Sequence, residues 1–325
     1  MYYGIGYGFS RADIGSATIE MAEDGTTTVY SGACDMGQGV MTVITQVAAE
    51  IIGIIPEMIR VVAADTGSTP DAGPTSGSRA TFVQGVAVQK AAAEMRDQIL
   101  SMAAQMLECP KEKLEAREGG IYRGGAAIPM ISVAKVTNEI HRLGRRCVSW
   151  GWHDITTQDV DPETSQGDAY ATYGWATQLA EVEVDTETGH VKVLKIVSAT
   201  DAGKAINPMA VEGQIQGGVA MGIGYALYEQ HILEKGVPQT GSLAFYLVPT
   251  SMDVPDIECE IVEVADPKGP FGAKGVAEPA TIPTTPAILN AIYDAIGVRI
   301  TETPATPERV YFAIQEAKAR GEWVE

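Results

Sequence analysis

The chain has 325 residues, 45% of them apolar and 20% charged, a balance that buries a substantial core and excludes a disordered polypeptide. Its 42 Asp and Glu against 23 Lys and Arg leave a formal net charge of −19. That charge excludes nucleic acid as a partner and disfavours an anionic membrane surface. The most apolar run, residues 46–64, is interrupted by Glu50, Glu57 and Arg60, so no transmembrane span is expected. Residues 1–6 lack the basic start and apolar run of a signal peptide.

In chain order, a strand is expected over residues 3–9, then a hairpin of 17–21 and 27–31 about the turn pair Asp24-Gly25. Helical periodicity over 41–52 stops at Gly53, and 59–64 read as a buried strand. A Gly/Ser/Thr/Pro loop over 66–78 leads into a long helix over about 80–107, closed by Pro110. A second hairpin spans 114–123 around Gly119-Gly120, and 131–143 read as a helix.

The polar, proline-bearing loop over 156–168 is the best place for a boundary, giving subdomains 1–155 and 156–325. Beyond it, 177–184 and 191–200 form a strand pair about the turn 186–189. Ala205-Ile206-Asn207-Pro208 then opens a helix over 211–229, rich in glycine and therefore packed closely against a neighbour. A strand over 257–264 and helices over 284–296 and 308–319 follow. Without a regular βαβ cycle, the expected class is α+β, two mixed subdomains rather than a Rossmann sheet. No internal repeat is evident.

The four cysteines, Cys34, Cys109, Cys147 and Cys259, form no CxxC pair and suggest reduced thiols in a cytoplasmic protein. Cys34 reads as a small buried core thiol. The four histidines are dispersed as well, so no zinc or iron–sulfur ligand set is expected from this chain. Any metal would arrive with an organic cofactor or through a partner, held by no side chain directly.

Three glycine-rich loops carry the chemical signal. Asp35-Met36-Gly37-Gln38-Gly39 and Gly73-Pro74-Thr75-Ser76-Gly77-Ser78 each precede a helix, where backbone N–H groups can hold an anion without a lysine cluster. Each loop also reads as an ordinary capped helix start. Gly272-Ala273-Lys274-Gly275-Val276-Ala277-Glu278-Pro279 presents one carboxylate after a glycine-rich loop, a candidate general base or a simple tight turn. Gln214 and Gln216 open the glycine-rich helix, and an amide that both donates and accepts suits a heterocycle.

Together with Glu212-Gly213-Gln214-Ile215-Gln216-Gly217-Gly218, these segments resemble the molybdenum hydroxylases, the xanthine dehydrogenase and aldehyde oxidoreductase family, in family order over nearly the whole chain. The length corresponds to the C-terminal half of the family's molybdenum-binding part, its second molybdenum-binding domain. The resemblance is nearest to bacterial nicotinate dehydrogenases, whose two halves are separate chains. It implies that Gln38 and Gly39 contact the pterin and the oxo-ligand region. Thr75, Ser76, Gly77 and Ser78 would bind the pterin and its pyrophosphate, Gln214 would bind the pterin edge, and Glu278 would be the catalytic carboxylate. The family more often has glycine just before that glutamate, where this chain has Ala277.

The implied cofactor is a molybdenum–molybdopterin cytosine dinucleotide with a sulfido or selenido ligand. The implied reaction hydroxylates a small, electron-poor N-heteroaromatic, nicotinate to 6-hydroxynicotinate being the leading case, with oxygen from water. Electrons would leave through [2Fe–2S] clusters and FAD to NADP. The implied partners are a large molybdopterin subunit carrying the N-terminal half, an iron–sulfur subunit and an FAD subunit. Two alternatives stay open at this stage: a non-catalytic structural partner, and a module that binds some other phosphorylated nucleotide.

Overall fold

The computed structural model describes residues 2–3, 13–155, 160–167 and 170–323. After β1 (Tyr2–Tyr3), β2 (Ile14–Met21) and β3 (Thr27–Ser31) form the expected hairpin. In α1 (Val40–Ile52), Val40, Ile44, Val47, Ala48 and Ile52 are buried, the spacing of one helical face. It returns the chain to β4 (Ile59–Ala63), parallel to β3. A π-helical turn, Ala80–Gln84, then opens the long α2 (Gly85–Met106). There follow β5 (Leu114–Arg117), β6 (Gly120–Arg123), β7 (Ile131–Ser132) and α3 (Val133–Arg142), whose cap Ser132 accepts the Lys135 N–H. With β8 (Val148–Asp154), antiparallel to β2, the main sheet reads β4-β3-β2-β8.

The chain continues with β9 (Thr172–Tyr173), paired to β1, then β10 (Ala176–Val184) and β11 (Val191–Asp201). Next is α4 (Pro208–Leu227), with proline in its first turn and Asn207 Oδ1 accepting the Ala210 N–H. The short β12 (Leu233–Glu234) and β13 (Val237–Pro238) pair with each other, and β14 (Asp256–Val262) lies parallel to β11. Three helices end the described chain: α5 (Ala277–Thr281), α6 (Thr284–Ile296) and α7 (Pro307–Arg320). A Cβ at Gly222 would overlap Thr284, so α4 meets α6 with bare backbone, as its glycine content predicts.

The two halves repeat one plan. An antiparallel hairpin is followed by a crossover helix and a strand parallel to the hairpin's second member: β2-β3-α1-β4, then β10-β11-α4-β14. The repeat lies in topology, which is why residue similarity does not reveal it, and each sheet is mixed. One cluster of buried apolar side chains gathers Ile19, Ile44, Met95 and Ile99, and another gathers Ile196, Ile215, Ile223, Ile292 and Ile314. Full burial of each such side chain contributes about 1.5–3 kcal/mol. A smaller cluster gathers Phe82, Val83 and Ile155, with Ala171 packed against it.

Some expectations need correction. The strand over 59–63 is a half-buried sheet edge, with Arg60 exposed. The strand β8 was not expected, because its pattern is inverted: Trp150 and Trp152 face outward while Ser149 and Gly151 face in. Helix α2 lies so close that a Cβ at Gly151 would overlap the Ala87 carbonyl. The same helix covers β8's free edge. Lys90 Nζ donates to Trp152 O, Gln98 Nε2 donates to Val148 O, and Glu94 accepts the Trp150 N–H. A sheet edge covered in this way is closed to stray strands. The strand expected over 3–9 lies, apart from Tyr3, outside the described residues, as do positions 156–159, where the boundary was placed.

Candidate active site

The segments singled out in the sequence lie around the carboxyl ends of the parallel strands. Residues 32–39 join β3 to α1, 64–79 join β4 to the π-turn of α2, 202–207 join β11 to α4, and 263–276 join β14 to α5. Sheets with such crossovers bind ligands at that end. The loops of the two halves meet around a cleft that is open to solvent. Gln38, Thr75, Ser76, Ser78, Gln214 and Glu278 line it, and Gly39 and Gly77 adjoin them in the same loops. Gln216 is exposed on α4 and does not line the cleft.

The first loop corrects one expectation. The start of α1 is occupied by the chain's own acid: Asp35 accepts the N–H groups of Gly37 (2.9 Å), Met41 (3.2 Å) and Gly39 (3.4 Å). Desolvation raises the Asp35 carboxyl, but these three bonds hold it below its ordinary value. This helix start is therefore self-capped rather than an open anion site. Gln38 is engaged as well, donating from Nε2 to Cys34 O at 2.8 Å and accepting the Met36 N–H at 2.5 Å. Cys34 is exposed, not a core thiol, because Ala33 is the residue that turns inward. Its N–H donates to Thr75 Oγ1 at 2.9 Å, which ties the first loop to the second.

The second loop is wrapped around Arg79. That guanidinium is 2.5 Å from Asp13, and it donates to the carbonyls of Ala72, Pro74 and Ile14. Burial, partly offset by Arg79, pushes the Asp13 carboxyl up to about 6. Among the described residues lining the cleft, the basic side chains Arg79, Lys204 and Lys274 are each paired with an acid: Asp13, Glu263 and Asp201. Toward the cleft the first half turns the hydroxyls of Thr75, Ser76, Ser78 and Thr81 and the Gln38 amide, beside the apolar Met36, Val43 and Ala80.

Ser78 joins the two halves. Its Oγ accepts the Glu278 N–H at 3.0 Å. A Cβ at Gly275 would overlap the Ser78 carbonyl oxygen, so only glycine lets these backbones touch. Glu278 itself is half-buried, and among the described residues no group hydrogen-bonds its buried Oε2. A buried carboxylate oxygen without a partner is expensive unless a ligand or solvent engages it. Gln214 is half-buried on the first turns of α4 and lines the same cleft.

Sequence reasoning missed three features of the site. The Asp35 cap could have been found, since Asp two residues before glycine is an Asx-turn pattern. The Ser78–Glu278 bond and the buried Lys274–Asp201 pair join residues 200 and 73 apart, which no local pattern reveals.

Comparison with known proteins agrees with this geometry. The sequence profile of the molybdopterin cofactor-binding domain matches residues 1–255. The gamma subunit of the 6-hydroxypseudooxynicotine dehydrogenase complex of Paenarthrobacter nicotinovorans is 33% identical over 96% of this chain and 39% of its own length. The large subunit of nicotine 6-hydroxylase from the same organism is 35% identical over 91% of this chain and 36% of its own. The solved structure of quinoline 2-oxidoreductase from Pseudomonas putida 86 superposes with a TM-score of 0.81 at 30% identity, over 93% of this chain and 38% of that one. The chain thus spans less than half the length of the relatives it matches. With the profile, the fold and the order of the cleft segments in agreement, the chain belongs to the molybdenum hydroxylase family, as a molybdopterin cofactor-binding domain.

Proposed function

We propose that this chain, as residues 1–155 and 156–325 closing on one cleft, supplies the second half of a molybdenum hydroxylase site, with Glu278 as general base. The observation that carries the reading is Glu278 Oε2, a buried carboxylate oxygen with no partner among the described residues, in a residue that lines the cleft. The cleft also fits a pterin nucleotide. Thr75, Ser76, Ser78 and Gln214 offer hydroxyls and an amide along it. A Cβ added at Gly39 or Gly77 would meet nothing within 4 Å among the described residues, which leaves room for close approach. We assign Thr75, Ser76, Gly77 and Ser78 to the pterin and its pyrophosphate, Gln214 to the pterin edge, and Gln38 and Gly39 to the face nearest the metal.

When bound, the molybdenum cofactor supplies the oxygen-transfer and electron-accepting chemistry. Glu278 Oε2 takes the proton that activates the water-derived nucleophile. The net reaction converts R–H and water to R–OH, two protons and two electrons, the electrons leaving for carriers on partner chains, [2Fe–2S] clusters and FAD, and then NADP. The cofactor is read as the cytosine dinucleotide form. The substrate is read as an N-heteroaromatic attacked beside its ring nitrogen, with nicotinate to 6-hydroxynicotinate as the leading case. The names of the nicotine- and quinoline-acting relatives support that class. The test is analysis of the assembled protein: molybdenum, an extractable pterin cytosine nucleotide, and ¹⁸O from water in hydroxylated nicotinate are expected. A purified complex free of molybdenum and pterin would overturn the reading.

A further inference from the structure

The loop that carries Glu278 is held at its far end by a buried ion pair for which the reaction scheme has no use. Lys274, four residues before Glu278, places Nζ 2.7 Å from Asp201 Oδ2 and donates to Tyr173 O at 3.0 Å. The two side chains are 7% and 5% exposed. Asp201 Oδ1 in turn accepts the Gly203 N–H at 2.9 Å. Two backbone bonds complete the seam, Lys274 N–H to Ala202 O and Lys204 N–H to Gly272 O. A buried ion pair adds little stability over an apolar pair of the same volume, so stability alone does not account for it. It does fix direction, because each charge reaches a second, oriented backbone partner.

We propose that Lys274, acting through Asp201, is a positioning residue that sets where the Glu278 carboxylate stands in the cleft. The proposal rests on Glu278 being the base. The loop is then gripped from both halves of the molecule: by Ser78 at Glu278 itself, and by the end of β11 at Lys274. Ser78 meets the loop at the Glu278 N–H and the Gly275 backbone, whereas the ion pair anchors it at Lys274, beside the backbone bonds of residues 272–274. A reacting group displaced by about 1 Å loses on the order of 10²-fold in rate.

The single change Lys274→Met would leave Asp201 buried and unpaired and is expected to harm folding. The test therefore uses Asp201→Asn/Lys274→Met, which leaves neither charge, beside Lys274→Arg, in the assembled, metal-loaded enzyme. The expected result is unchanged molybdenum content, KM within about two-fold, and kcat lower by roughly 10–100-fold, with Lys274→Arg falling between parent and double variant. Amide exchange over residues 272–282 should be at least roughly ten-fold faster in the double variant. A loaded double variant with parental kcat overturns the proposal and leaves the base assignment standing, provided Glu278→Gln in the same preparation loses turnover. If Glu278→Gln keeps turnover, both ideas fall. If the double variant does not load metal, the exchange measurement decides, and parental protection over 272–282 overturns the proposal.

Discussion

In the first half of the molecule, the loops leaving β3 and β4 present hydroxyls and the Gln38 amide to the cleft, beside Met36. Asp35, the acid of the loop leaving β3, is consumed in capping α1. In the second half, the equivalent loops leaving β11 and β14 present Lys204, Lys274 and Glu278. Both halves seal the start of the crossover helix with an Asx side chain, Asp35 before α1 and Asn207 before α4. The scaffold is shared, and the difference lies in which residues the same two loops carry. Topology decides that four loops converge at the strand ends, while residue type decides which groups each of them presents there.

The seam between the halves is where the two sets of loops meet, and Gly275→Ala should break it. The added methyl overlaps the Ser78 carbonyl, a backbone atom that cannot swing aside. A destabilisation of roughly 3 kcal/mol is expected, at the upper end for overpacking, together with loss of metal loading. Denaturant unfolding and metal analysis check this. Parental stability in that variant would mean that the halves are not in contact there.

A smaller effect distinguishes the first half by its pH dependence. Asp13 has its carboxyl raised to about 6 by burial, against Arg79. Between its ordinary value and 6, the folded chain holds a proton that the unfolded chain has released. Its contribution is therefore full below the ordinary value, lost as pH rises through about 6, and constant above. The loss amounts to about 2–3 kcal/mol. Denaturant midpoints from pH 4 to 7 should show this fall in the parent, and Asp13→Asn should remove it. An identical slope in both proteins would deny the desolvated pair its role in holding the second loop.

The smallest effect concerns the outward face of α4. A Cβ at Gly213 meets nothing within 4 Å among the described residues, whereas Gly275 has no room. Gly213→Ala should raise the unfolding free energy of the chain by about 0.5–1 kcal/mol through helix propensity alone. A loss of stability instead would mark that face as closely packed.

Much of this arrangement was legible from residues 17–31 and 176–201, where alternation flanks clear turn pairs, and from helices that stop at glycine. The pattern failed where packing inverted it. Strand β8 hides Ser149 and Gly151 and exposes two tryptophans, so apolarity points the wrong way. It failed again where polar atoms do the work at long range: Asp201 and Lys274, Ser78 and Glu278, Asp13 and Arg79. The cleft-lining glutamines, hydroxyls and glutamate could be singled out because they lie in short glycine-rich segments. How those segments are tied to one another could not, since a hydrogen bond across 200 residues leaves no spacing to read.

The central claim is that Glu278 is the proton acceptor of the cleft, and replacing it with glutamine tests this most directly. Glu278→Gln keeps the shape of the side chain and the backbone bond to Ser78 Oγ, so molybdenum content should match the parent. Turnover of the loaded variant, measured by metal analysis and steady-state kinetics on the same sample, should fall by about 10²–10⁴-fold. A fully loaded Glu278→Gln enzyme that turns over within a few-fold of the parent would contradict the account.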